Sequence, residues 1–387
     1  MEKVTNYPFI LIHGFLCWGE EEGICDLFPT FGMWNGNAKH AMEKAGYEVY
    51  TPSVGPLSGM WERACVLYAY IKGGRVDYGK AYSEAVGCAR YGDTYPGVVP
   101  NWGELDENGK IQKVNLVGHS FGGPTVRTLI HLLAEGSATE REATDPAELS
   151  DLFKGGKANW IHACVALAGT HSGVTLPDAG RPIVNPMAAV CFGLGMLFSG
   201  TPVARFYRWH LDNYGISSGE KNIPFNKEPV MKLVHAKVGN IFWELSTEGA
   251  EFMTKHYKTY DSIYYFTFHG CRTKAAPFGL PGQIPTSHMW IPLRPFSLFE
   301  CFYTDAAHGR DWQPNDGLVN VETARYPKND PAEHFTSVEN CKTGIWYWHD
   351  TEDKDHTSYM GILEKPQVYN KFFVDLGEKV CALPETK

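Results

Sequence analysis

Residues 114–126 read Val114-Asn115-Leu116-Val117-Gly118-His119-Ser120-Phe121-Gly122-Gly123-Pro124-Thr125-Val126, a strand pattern that runs into a helix pattern through a serine flanked by glycines. Val114 to Gly118 is a short, nearly continuous apolar run, as expected of a parallel strand covered on both faces. Pro124 to Ala134 has helical spacing, with proline in the first turn where its missing N–H costs nothing. So little chain separates the two patterns that Ser120 must sit on a tight strand-to-helix turn. A bulky neighbour on either side would clash there, and Gly118 and Gly122 relieve it. Gly118-His119-Ser120-Phe121-Gly122 is therefore a candidate nucleophile elbow, with Ser120 as the nucleophile.

Similar buried runs recur on both sides. Phe9 to His13, Gly46 to Pro52, Ala163 to Ala168 and Tyr264 to Phe268 read as strands, and Asn35 to Ala45 as a helix stopped by Gly46. Strands alternating with helices predict an α/β class fold, a doubly wound, mostly parallel sheet with helices on both faces, and the serine elbow makes it one of the α/β-hydrolase type. Three stretches fall outside the alternation. Residues 54–109, rich in Gly, Tyr and Pro, read as an inserted subdomain with small elements of its own. Glu135 to Lys157 reads as a polar surface loop. Residues 176–226 contain the apolar segment Met187 to Phe198 and are a candidate lid. The whole of 1–387 is expected to form one enlarged domain.

Composition narrows the possibilities. Of 387 residues, 43% are hydrophobic and 20% charged, enough apolar material for a sizeable core. The net charge of −9, with no long run of like charge, argues against nucleic acid as a partner. The longest apolar stretch, Met187 to Phe198, is too short for a transmembrane segment, which needs roughly 18 to 20 residues. Ten cysteines occur singly, without a CxxC pair, and are expected to be free thiols. Met1 to Asn6 carries no apolar signal region, which fits a cytoplasmic chain or a secreted one in mature form.

A serine hydroxyl needs a base, and the base an acid, in the chain order Ser, Asp or Glu, His. Asp355-His356-Thr357-Ser358, in a charged loop after the strand-like Gly344 to Tyr347, makes His356 the preferred base; His349 is the rival, with a packing role in the aromatic run as its plainer reading. Asn315-Asp316-Gly317 is a sharp turn able to aim a carboxylate inward, so Asp316 is the candidate acid, with Asp305 and Asp311 as alternatives. The oxyanion hole needs two N–H groups. Phe121 supplies one by following the nucleophile, and Phe15, in the His13-Gly14-Phe15 loop after the first strand, is placed to supply the other. His13 is expected to be structural.

Taken together, Tyr7-Pro8-Phe9-Ile10-Leu11-Ile12-His13-Gly14-Phe15, Val54-Gly55-Pro56-Leu57-Ser58, Arg63-Ala64-Cys65, Gly73-Gly74-Arg75-Val76-Asp77-Tyr78-Gly79, Thr94-Tyr95-Pro96-Gly97, Asn315 to Asn320 and Asp355-His356 resemble, nearly end to end, the large zinc-containing bacterial lipases of thermophilic bacilli and staphylococci. The resemblance implies a triad of Ser120, Asp316 and His356 and an oxyanion hole at Phe15 and Phe121. It also implies a structural zinc, but the corresponding positions here are Glu62, Tyr82, Cys88 and Glu244, none matching the family's two Asp and two His. A degraded site at Glu62, Cys88 and Glu244 is the alternative to the expectation that no metal and no cofactor is bound, and that hydrogen bonds and packing, with Arg90 near Glu62, hold the insertion. The family's calcium ligands near the histidine fall at Ser358 and near Leu363, a poor set for a hard cation. Ala188 to Gly200 corresponds to the family's lid helix, although Gly193 and Gly195 weaken any helix. The expected function is a carboxylic-ester hydrolase, a triacylglycerol lipase or lipase-like esterase. Its partner would be an apolar ester, met at a lipid–water interface. A short-chain carboxylesterase or polyester hydrolase is the alternative, followed by an acyltransferase and, last, a non-catalytic binding protein on the same scaffold. Secretion is implied by the resemblance, a cytoplasmic location by the free thiols.

Overall fold

A computed structural model of the chain describes residues 3–179, 181–198, 201–216, 227–279, 282–302 and 308–386. Seven strands form the central sheet: β1 (Phe9–Ile12), β2 (Val49–Tyr50), β3 (Val114–His119), β4 (Ile161–Leu167), β5 (Tyr264–Phe268), β6 (Ala332–His334) and β7 (Trp346–Trp348). Their order is β6-β7-β5-β4-β3-β1-β2, and every neighbouring pair is parallel. β3, which carries the serine, lies between β1 and β4, so the loops after all three emerge side by side at one edge. In open parallel sheets that carboxyl edge is where sites are built.

Alternation along the strands sends side chains to two separate apolar layers. Ile10, Ile12, Leu116, Cys164, Ala166, Tyr265 and Trp346 pack on one face with α2 (Met60–Lys72) and α3 (Gly122–Glu135). Phe9, Leu11, Val117, Val165, Phe266, Phe268 and Tyr347 pack on the other with α1 (Ala38–Lys44) and α6 (Pro366–Cys381). The doubly wound α/β-hydrolase fold read from the sequence is the fold observed.

The stretches outside the alternation are more ordered than their composition suggests. Within 54–109, α2 is buried on nearly all sides against α3, and an antiparallel hairpin pairs Gly74–Asp77 with Tyr91–Tyr95. The expected polar loop 135–157 holds a helix, Ala138–Ala143, whose N-cap Ser137 accepts from the Glu140 N–H. The expected Arg90–Glu62 contact is not made: hairpin pairing places Arg90 beside Asp77, which it grips with Nε and Nη2 at 3.1 Å each. The apolar segment Met187 to Phe198 lies in α4 (Arg181–Phe198), which continues through Gly193 and Gly195 and carries Pro186 within it. It packs against α5 (Lys227–His235). The last two residues of the Ala188–Gly200 segment, and 217–226 of the expected lid region, lie outside the described residues. No described helix is long and apolar enough to cross a membrane.

Candidate active site

The elbow forms because only glycine fits around Ser120. A Cβ on Gly122 would strike the Ile12 carbonyl of β1, and one on Gly118 would strike the Gly122 carbonyl. Ser120 itself is held at φ 58°, a left-handed conformation that non-glycine residues rarely adopt. Its N–H donates to the Leu167 carbonyl at 2.9 Å and its carbonyl accepts from Gly123 N–H, so the backbone on both sides pins the strain. Gly122→Ala is accordingly expected to cost roughly 3 kcal/mol, the upper end for overpacking a tight core, readable as a lower denaturation midpoint.

The structure brings the three sequence candidates together. Ser120 Oγ lies 2.9 Å from His356 Nε2, and His356 Nδ1 lies 2.9 Å from Asp316 Oδ2. All three residues are buried. The Asn315-Asp316-Gly317 turn does what its sequence suggests: Asp316 Oδ1 accepts from the Leu318 and Val319 N–H groups at 3.1 and 2.8 Å, leaving Oδ2 for the histidine. The His356 N–H also donates to the Asp316 carbonyl at 2.8 Å. His349 is instead a packing residue, stacked on Phe268 at 3.9 Å and on Phe335 at 4.3 Å. Asp311 is exposed on a surface turn, and Asp305 lies outside the described residues.

The loop after β1 comes close enough to the nucleophile that a Cβ on Gly14 would sit 2.7 Å from Ser120 Cβ. This puts the Phe15 and Phe121 amides beside the serine. Among the described residues, no backbone or side-chain acceptor takes either N–H. His13 is structural: Nδ1–H donates to the Gly14 carbonyl at 2.8 Å, and Nε2 accepts from Val54 N–H at 3.1 Å. Burial holds its imidazole well below its ordinary pKa and therefore neutral.

Two residues quoted in the sequence motifs, with no supporting role read for them there, prop the site. Arg63, fully buried, donates through Nη2 to the His13 carbonyl, through Nη1 to Gly55 O at 2.5 Å and through Nε to Thr125 Oγ1 at 2.9 Å. It thereby ties the loop after β1 to α3. His119 lies behind His356, where its Nε2–H donates to the His356 carbonyl at 3.1 Å and burial keeps the ring neutral.

Apolar cover closes the site. Phe121 and, at the edge, Phe15 pack into one cluster with Ala188 and Phe192 of α4 and with Phe242; Phe15 meets Phe242 edge-on at 5.2 Å. On its outer side α4 presents Val190, Leu194 and Leu197 to solvent, one stripe at helical spacing.

The residues at the zinc positions do not suit the metal. Tyr82 offers a phenol, a poor zinc ligand at neutral pH, and with no metal beside them burial favours the neutral forms of Tyr82 and of the Cys88 thiol. Both Glu244 oxygens are occupied, accepting from Met60 and Gly239 N–H at 2.6 and 2.8 Å. Among the described residues, no group of three or more His, Cys, Asp and Glu is arranged to hold a metal ion. Near the expected calcium site, the Ser358 hydroxyl is engaged with Asp355, and Leu363 brings no side-chain oxygen.

A family model described as the lipase-like C-terminal domain matches residues 5–371. Lipase 1 of Staphylococcus aureus (strain MRSA252) is 32% identical over 360 residues, covering 92% of this chain and 50% of its own; the chain thus spans about half the length of the curated relatives it matches. Among solved structures, the Staphylococcus hyicus lipase superimposes with a TM-score of 0.85 at 26% identity, covering 98% of this chain and 97% of its own. Lipase 1 from Pelosinus fermentans gives 0.80 at 34% identity, covering 98% and 100%. With its parallel sheet, its strained serine elbow and these relatives, the chain belongs to the lipase-like C-terminal domain family.

Proposed function

We propose that this chain hydrolyses carboxylic esters of apolar acids, acylglycerols first among them, through an acyl-enzyme on Ser120. The observation that carries the reading is the chain of two 2.9 Å contacts from Ser120 through His356 to Asp316, buried beneath apolar cover. His356 takes the hydroxyl proton as Ser120 attacks the ester carbonyl, and Asp316 orients the imidazole and stabilises its charged form. The N–H groups of Phe15 and Phe121 hold the developing oxyanion. Return of the proton releases the alcohol, and water activated by His356 frees the acid.

In this reading the chain is one hydrolase domain with 54–109 as its insertion and 176–226 as its lid region. α4 is the lid: its inner residues cover the oxyanion-hole phenylalanines, and its outer stripe of Val190, Leu194 and Leu197 suits a lipid–water interface. Fluorophosphonate labelling combined with a chain-length series of p-nitrophenyl esters tests the proposal. Wild type should be labelled and Ser120→Ala should not, with hydrolysis extending to long acyl chains and emulsified triglyceride. An unlabelled wild type would favour a binding protein on a hydrolase scaffold. Labelling with activity confined to acetyl and butyryl esters would make the chain a short-chain esterase.

A further inference from the structure

We infer that Arg272 is the positioning residue for the candidate base, holding Asp355 and, through it, His356 within reach of Ser120. The inference rests on the reading of His356 as the base. Asp355 is fully buried and immediately precedes His356. Its Oδ1 caps the short turn His356–Met360, accepting from the Thr357 and Ser358 N–H groups at 3.1 Å each and from their hydroxyls at 2.8 and 3.2 Å. The Asp355 N–H returns a bond to Ser358 Oγ at 3.2 Å. Its Oδ2 accepts from Trp290 N–H at 2.9 Å and from Arg272 Nη1 at 2.9 Å. Among the described residues, Arg272 is the one cation in contact with this carboxylate.

The guanidinium serves more than Asp355. Nη1 also donates to the His288 carbonyl at 2.9 Å and Nη2 to the Asp353 carbonyl at 3.1 Å. Nε lies 3.4 Å from Asp353 Oδ1, and Nη2 lies 3.7 Å from Glu364 Oε1. The Arg272 backbone is fixed as well: its N–H donates to the Asn315 carbonyl at 3.1 Å, beside Asp316, and its carbonyl accepts from Thr286 N–H at 2.8 Å. Arg272 thus joins the loop after β5 to His288 and to the segment on both sides of His356 through its planar fork, and to the loop that carries Asp316 through its backbone N–H. A cation bound near the histidine could tie these loops through oxygen ligands. Here the tie is a side chain of the chain itself, and its charge balances a carboxylate that would otherwise be buried unpaired.

The geometry tolerates little slack, since a displacement of about 1 Å in a catalytic group costs on the order of 10²-fold in rate. Arg272→Ala should lower kcat on a soluble p-nitrophenyl ester by about 10²-fold with KM nearly unchanged, and slow fluorophosphonate labelling of Ser120 to match. Millimolar guanidinium should restore part of both rates. Arg272→Lys keeps the counter-charge and hence the fold. It should show an intermediate loss, because a point charge cannot serve the Asp355 carboxylate and the two carbonyls together. If kcat per titrated active site were unchanged in both variants, Arg272 would be a stability residue only and the inference would fall. His356→Ala separates the two ideas: wild-type labelling in that variant would overturn the base itself, whatever Arg272 does.

Discussion

Asp316→Asn should leave the protein folded, with ester affinity near wild type, and should lower kcat by about 10⁴-fold, the loss that follows when a triad histidine is held in the wrong tautomer. Asp316 takes two backbone N–H bonds on Oδ1, so an asparagine oxygen can keep the Asn315–Gly317 turn intact. Its amide nitrogen then faces His356 Nδ1 where a carboxylate oxygen stood. The ring must accept there instead of donating, which moves its proton to Nε2, the nitrogen needed bare to take the Ser120 proton. Because turn and packing survive, KM should move little, and the loss should appear equally in kcat and kcat/KM. Steady-state kinetics beside a melting curve would read this directly. A variant within tenfold of wild type would show that Asp316 does not orient the base.

What could be read from the sequence had a local signature. The Ser120 elbow is written in adjacent letters: a buried strand, glycines where a Cβ would meet backbone, and a helix. Asp316 was legible because Asn-Asp-Gly forces a turn whose side-chain acceptor is predictable. β6 (Ala332–His334) was not found, because an edge strand of three half-exposed residues has neither an apolar run nor an alternation. The helix Ala138–Ala143 was legible and missed: Ser137-Ala138-Thr139-Glu140 is a capping-box spacing in a stretch otherwise read by its polarity.

Long-range supports are a different case. Arg272 and Asp355 are 83 positions apart, and Arg63 reaches His13 across 50. Nothing local distinguishes these arginines from surface ones, since their burial is created by the topology that brings the loops together. The same holds for His119, which reads as an elbow letter and acts as a donor to the backbone of a residue 237 positions away.

Glu62→Gln should raise the melting temperature at pH 9 and leave it nearly unchanged at pH 5, while EDTA should alter it at neither. Glu62 and Glu244 are both buried where the family resemblance expects zinc, and a Cβ built on Gly59 would lie 2.5 Å from Glu244 Oε1 and 2.8 Å from Glu62 Oε2. Two carboxylates so placed cannot both ionise without cost. Glu244 is the better anion, since two backbone N–H groups point at it, with the Arg63 charge adding in the same sense. Glu62 is the better acid: its side-chain donors are phenols, Tyr214 on Oε1 with Tyr82 beside it, where Glu244 has two backbone N–H groups. The other groups around the pair, Cys65, Tyr78 and Cys88, are kept neutral by burial and supply no counter-charge. Burial, with the Glu62 charge next, lifts Glu244 from 4.5 to about 8, and burial likewise raises Glu62. A carboxyl with a raised folded-state pKa binds its proton more tightly when folded. The stability it confers is therefore complete below about 4.5 and drains away as the pH climbs through about 8. Glutamine at 62 keeps the acceptor for Tyr214, puts an N–H₂ in place of Oε2 beside Tyr82 and Glu244, and removes one of the two charges. The gain at pH 9 should be roughly 2 kcal/mol, or a few degrees. An equal melting temperature for both proteins at pH 9 would show that the pair does not repel. A fall with EDTA, or zinc at one equivalent by elemental analysis, would show that a metal and not protonation of Glu62 relieves the repulsion between these carboxylates.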